Sequence, residues 1–159
     1  MEKFAAIKRS RDLKPVRYLI VDDSVFARKN LRRMIETFGG QIVAEANDGL
    51  TAITEYDRIK PDVVLMDITM PQMGGIEAVE KIVQQNPEAR IVMVSAVGYR
   101  ENIVAALQSG ARHFVQKPVK PQALYEAIRY VLGDDGAPAT EDIQETSYGE
   151  CGETTSKSC

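Results

Sequence analysis

Tryptophan is absent from the 159 residues, and histidine occurs once, at His113. A site built from several imidazole ligands is therefore excluded. Cysteine occurs twice, Cys151 and Cys159, both in the last nine residues. Two thiols without a nearby histidine do not make a zinc site. Cys159 is the last residue, which does not fit a prenylation box. Two reducible thiols on an exposed tail are expected. No apolar run approaches the roughly 18 residues of a membrane span. The opening Met1-Glu2-Lys3-Phe4-Ala5-Ala6-Ile7-Lys8 turns to charge too early for a secretion signal. A cytoplasmic protein without membrane insertion is the expectation. Neither GxxxxGK[ST] nor GxGxxG occurs, so nothing supports nucleotide binding.

Charge is uneven. Residues 1–17 carry +4, residues 133–159 carry −6, and residues 18–132 carry −1. A nearly neutral body does not suggest direct DNA binding. Residues 1–15 read as a basic N-terminal arm, expected to be solvated because no aromatic interleaving accompanies its charge. Residues 134–159 are Gly-, Ser-, Thr- and acid-rich. That composition buries too little to order itself, so a disordered acidic tail is expected there.

Between them, residues 16–133 alternate two patterns. Short β-branched runs are Tyr18-Leu19-Ile20-Val21, Gln41-Ile42-Val43-Ala44, Val63-Val64-Leu65-Met66, Ile91-Val92-Met93-Val94 and His113-Phe114-Val115-Gln116. Stretches with a period near 3.6 follow each, for example Ala27, Leu31, Met34, Ile35 and Phe38, or Leu124, Ala127, Ile128 and Val131. Gly39-Gly40, Pro61, Pro87, Gly110, Pro121 and Gly133 punctuate the units. Five strands alternating with five helices predict an α/β domain: a doubly wound five-stranded parallel sheet covered on both faces.

Ligands of such sheets bind beyond the carboxyl ends of the strands. There the sequence places Asp22-Asp23-Ser24, Asp67-Ile68-Thr69-Met70-Pro71, Ser95-Ala96 and Lys117-Pro118. Three carboxylates repel one another unless a hard cation joins them, and Mg2+ takes such oxygen ligands. Lys117 and Ser95 suit phosphoryl oxygens. Together these are parts for phosphoryl transfer to a carboxylate. Each residue alone has a plainer use: Asp22 or Asp23 as a helix cap, Asp67 as a turn residue, Lys117 as a surface charge.

Jointly, Ile20-Val21-Asp22-Asp23-Ser24, the segment from Val64-Leu65-Met66-Asp67 through Met73-Gly74-Gly75, Val94-Ser95-Ala96 and Lys117-Pro118 resemble the receiver domain of two-component response regulators. Within that family the chain looks like the stand-alone chemotaxis-type (CheY-like) members. Asp67 follows Asp23 by 44 residues and Phe114 follows Ser95 by 19, spacings that suit the family. The resemblance implies a flavodoxin-like fold and a role for each residue. Asp67 would accept a phosphoryl group from a histidine kinase or histidine phosphotransfer protein. Asp23, Asp67 and the Thr69 carbonyl would ligate Mg2+, with Asp22 assisting through water. Lys117 and Ser95 would hold the phosphoryl group. Ser95 and Phe114 would switch, and Lys117-Pro118 would be a cis peptide. Val97 and Thr69 would tune the lifetime of the phosphoryl group. Arg28, Lys29, Arg32 and Arg33 would face the kinase. Arg100, Ile103, Leu107, Phe114 and Gln116 would face the output, a flagellar motor switch or another protein. A phosphoacceptor signalling protein rather than an enzyme follows. The alternatives are a phosphorelay intermediate and, from another class, a Mg2+-dependent phosphohydrolase with an aspartate nucleophile. The second needs an acid/base aspartate where Thr69 stands.

Overall fold

The structure, a computed structural model, describes residues 4–96 and 100–133. Five strands alternate with five helices: β1 (Arg17–Val21), α1 (Val25–Thr37), β2 (Gln41–Ala46), α2 (Gly49–Ile59), β3 (Val63–Met66), α3 (Gly75–Gln85), β4 (Ile91–Ser95), α4 (Arg100–Ser109), β5 (His113–Gln116) and α5 (Pro121–Leu132). All paired strands are parallel, in the order β2-β1-β3-β4-β5. The order reverses between β1 and β3, which opens a crevice at their carboxyl ends.

Alternation along the strands feeds two cores. Tyr18, Ile20, Leu65, Val92 and Val94 meet α1 and α5 on one face. Leu19, Val21, Val64, Met66 and Met93 meet the helices of the other. β1, β3 and β4 are buried on both sides, and so read as nearly unbroken apolar runs. Helix ends follow local chemistry. The Ser24 hydroxyl accepts from the Ala27 N–H at 3.1 Å and starts α1. The Asp48 carboxylate accepts from Thr51 N–H at 2.8 Å and starts α2. Pro121 opens α5, and Gly133 closes it at φ +69°.

Leu107, expected on the output face, is 44% exposed, and only Ala106 of α4 is buried. One expectation changes. The N-terminal arm is not a solvated extension in residues 4–15. Ile7 is buried, and its N–H donates to the Phe38 carbonyl at 2.9 Å. Phe4 stacks edge-on against Phe38 at 5.2 Å and lies 4.8 Å from Tyr125. The Tyr125 hydroxyl donates to the Ala5 carbonyl at 3.0 Å, and Lys8 bridges antiparallel to Pro15. Apolar burial at two anchor side chains, Phe4 and Ile7, outweighs the solvation of the cations that follow them. The acidic tail, 134–159, lies outside the described residues.

Candidate functional site

Asp22 continues β1, and its backbone N–H donates to the Ala46 carbonyl at 3.0 Å. Its carboxylate accepts from the Ser24 N–H at 2.9 Å, which folds the turn into α1. Arg28 reaches back from α1 and donates to the Asp22 carbonyl at 2.6 Å. One β-strand over, the Asp67 N–H donates to the Val21 carbonyl at 2.9 Å, so the two acidic turns lie side by side. Carboxylate oxygens of Asp22, Asp23 and Asp67 all fall within 4.8 Å of one another. Asp22 and Asp67 are buried, whereas Asp23 opens to solvent.

Lys117 spans this cluster from the end of β5. Its Nζ lies 2.6 Å from Asp22 Oδ2 and 3.7 Å from Asp67 Oδ2. The Lys117–Pro118 peptide is cis. Ser95 is buried at the end of β4, where its hydroxyl favours the charged form of the Asp67 carboxylate. Burial pushes the Asp67 carboxyl above its ordinary value, and the Asp22 charge pushes it further. Lys117, the Ile68 N–H and Ser95 pull the other way.

Three carboxylates against one ammonium leave an excess of negative charge in a half-enclosed hollow. One oxygen from each lies within 4.8 Å of the others, a cluster that a hard cation would draw together. The donor set therefore fits a hard divalent cation. Thr69, on the exposed part of the loop after β3, sits two residues beyond Asp67.

The loop itself depends on Gly75. A Cβ there would stand 1.9 Å from the Asp67 carbonyl oxygen, and the Gly75 N–H donates to the Ile68 carbonyl at 2.7 Å. Gly75 stood in the sequence motif, but its steric role was not legible without the fold. Glu45 was missed as well. It pairs with Arg28 at 2.9 Å and with Arg32 along the β2 edge, so of the four α1 cations only Lys29 and Arg33 remain exposed. Val97 lies outside the described residues.

Residues 18–129 match the family described as response regulator receiver domain. The chain belongs to the response regulator receiver family. Curated relatives agree over most of their length. The chemotaxis protein CheY of Listeria monocytogenes is 40% identical over 113 residues, covering 71% of this chain and 95% of its own. CheY of Thermotoga maritima is 41% identical over 115 residues, covering 72% and 96%. In a solved CheX-CheY-BeF3-Mg2+ complex from Borrelia burgdorferi, a 35% identical chain superposes with a TM-score of 0.73. That match covers 75% of this receiver and 90% of the other chain. Receivers are phosphoacceptor signalling proteins of two-component systems, and the phosphohydrolase alternative is not favoured. Among the described residues, no helix of this receiver is long and apolar enough to cross a membrane.

Phe114 lies on β5 beside Met93, half-buried against the core on the α2–α4 face. Nδ1 of His113 lies 2.8 Å from the Phe114 backbone nitrogen and 3.1 Å from its carbonyl oxygen. The other ring nitrogen, Nε2, is buried without a partner, and the ring packs edge-on against Tyr130 at 5.3 Å. Burial lowers the His113 pKa below its ordinary 6.5. The unfolded chain therefore takes up the proton first. The stability conferred by neutral His113 is complete above pH 6.5 and is lost as the pH falls below it. Thermal midpoints measured from pH 7.5 down to about 5.5 should fall more for the native receiver than for His113→Phe. Parallel curves would contradict this.

Proposed function

We propose that Asp67 is the phosphoacceptor of this receiver and that its phosphorylation switches binding to a partner protein, with chemotaxis as the pathway. The observation that carries the reading is the convergence of Asp22, Asp23, Asp67, Ser95 and Lys117 on one hollow at the β1/β3 crevice. An Asp67 carboxylate oxygen attacks the phosphorus of a phosphohistidine on a kinase or phosphotransfer protein. The P–N bond breaks, its electron pair goes to the imidazole, and that nitrogen takes a proton. The product is an acyl phosphate. Asp22, Asp23, Asp67 and the Thr69 carbonyl would hold Mg2+, which when bound neutralises charge on the transferring group. Lys117 leaves its bond to Asp22 for a phosphoryl oxygen, supplying a second positive charge.

The acyl phosphate adds charge and acceptor oxygens beside Ser95, whose hydroxyl already favours charge on Asp67. Ser95 follows the phosphoryl group, and the Phe114 ring turns inward, a shift between pre-existing populations. Leu107 and Val104, 44% and 41% exposed on α4, lie with Arg100 and Gln116 on the face that would read the change. The partner would be a flagellar motor switch or another output protein, and the CheY relatives support chemotaxis as the pathway. A phosphorelay role would use the same chemistry. The protein would act in the cytoplasm, where kinases of this class present their phosphohistidine.

Acetyl phosphate with Mg2+ tests the reading. One phosphoryl increment per chain should appear in the intact mass, and chelation by EDTA should suppress it. Continued turnover of a simple phosphomonoester, or no increment, would contradict it.

A further inference from the structure

At the opposite end of the sheet from Asp67, the folded-back arm builds a second charged surface. Lys8, Arg9, Arg11 and Arg90 line a cleft of about 150 Å³ together with Asp62, and Leu132 at the end of α5 forms part of its wall. Arg9 is held against Asp12 at 2.5 Å and lies 3.5 Å from Asp62. Arg11 reaches both carboxylates only at 3.9 Å, and it is 71% exposed. Lys8 and Arg90 have no carboxylate partner among the described residues. Four cations thus line the cleft against one carboxylate, Asp62, while Asp12 is held beside Arg9.

We propose that this cleft is the docking site for the acidic segment 134–145 of the same chain. The segment follows directly on the cleft wall. Gly133, at φ +69°, turns the chain off α5 immediately after Leu132. Asp134 and Asp135 come next, followed by Glu141, Asp142 and Glu145, with no cation before Lys157. Two extended residues reach about 7 Å, enough to bring a carboxylate from Gly133 across a cleft that Leu132 already borders. The tether makes the encounter intramolecular, at an effective concentration in the millimolar range that a free acidic peptide would not reach. The volume admits one or two carboxylate side chains. Docked, the segment ties the N-terminal arm to the end of α5, and its hold weakens with salt.

The test uses the full chain. Asp134→Asn, Asp135→Asn, Glu141→Gln and Asp142→Asn are combined, and side-chain and amide NMR signals of Lys8, Arg9, Arg11 and Arg90 are compared with the native chain. The four substitutions lie outside both cores, and unchanged dispersion of the core amides shows that folding is intact. The signals of these four residues should move, trypsin should cut after Arg9 and Arg11 several-fold faster, and 0.5 M NaCl should bring the native chain to the variant's values. Arg90→Glu should reproduce part of the shift. Identical spectra and cleavage, or changes centred on Lys29, Arg33 or Arg100 instead, would overturn the proposal. Neither result depends on phosphorylation of Asp67.

Discussion

Asp67→Asn should give a chain that takes up no phosphoryl group from acetyl phosphate and yet unfolds at a higher temperature than the native one. Loss of function and gain of stability arise from the same carboxylate. Burial and the Asp22 charge both disfavour ionised Asp67. At neutral pH without Mg2+ the native fold therefore retains a repulsion that the amide removes. Lys117 loses a partner at 3.7 Å but keeps Asp22 at 2.6 Å, so little is lost in exchange. A gain of about 1 kcal/mol, or roughly 3–6 °C in the thermal midpoint, is expected for a domain of this size. Lys117→Met should act in the opposite direction. It strands Asp22, which is 1% exposed, without its cation, and should cost about 3 kcal/mol. Added Mg2+ should raise the native midpoint more than that of Asp67→Asn, because one ligand is missing in the variant. A lower midpoint for Asp67→Asn than for the native chain would show that the carboxylate stabilises the fold and that the site is not strained.

Gly75→Ala should be the most damaging single-methyl change near the site. The added Cβ would sit 1.9 Å from the Asp67 carbonyl oxygen and 2.9 Å from its carbon, and both are backbone atoms that cannot swing aside. Either α3 retreats or the Asp67 turn moves. Overpacking of this kind costs about 1–3 kcal/mol. A shift of about 1 Å in a reacting group costs on the order of 100-fold in rate. Phosphorylation by acetyl phosphate should therefore slow by about that factor while the receiver remains folded. Gly74→Ala is the control. Its Cβ would come no closer than 3.1 Å, to the Ile68 carbonyl oxygen, and its φ of −75° suits any residue. It should retain most of the native rate. Equal rates for the two variants would contradict the steric account.

How much of this could be read from the sequence depended on whether the cause was local. β3 and β5 begin and end where their apolar runs do, because turn residues flank them closely. β2 runs on to Ala46 because Glu45, a polar residue inside a strand, faces Arg28 and Arg32 at the sheet edge. The acids, the hydroxyl and the amine at strand ends were legible because a parallel sheet collects its carboxyl ends on one rim. That Lys117 rests on Asp22 rather than midway to Asp67 was not, since the choice is made by distances between elements. The arm was misread for the same reason. Phe4 and Ile7 look like isolated apolar residues in a basic stretch, and their partners Phe38 and Tyr125 stand far along the chain.

Phosphorylation of Asp67 can be read without a substitution. Receiver phosphorylated with acetyl phosphate and Mg2+ is reduced with borohydride, which converts an aspartyl phosphate to homoserine, and then digested and sequenced by mass spectrometry. Homoserine at position 67, and at neither 22 nor 23, is the predicted result. Homoserine at either of those two positions, or an aspartate at 67 in a sample that carried the phosphoryl group, would contradict the account.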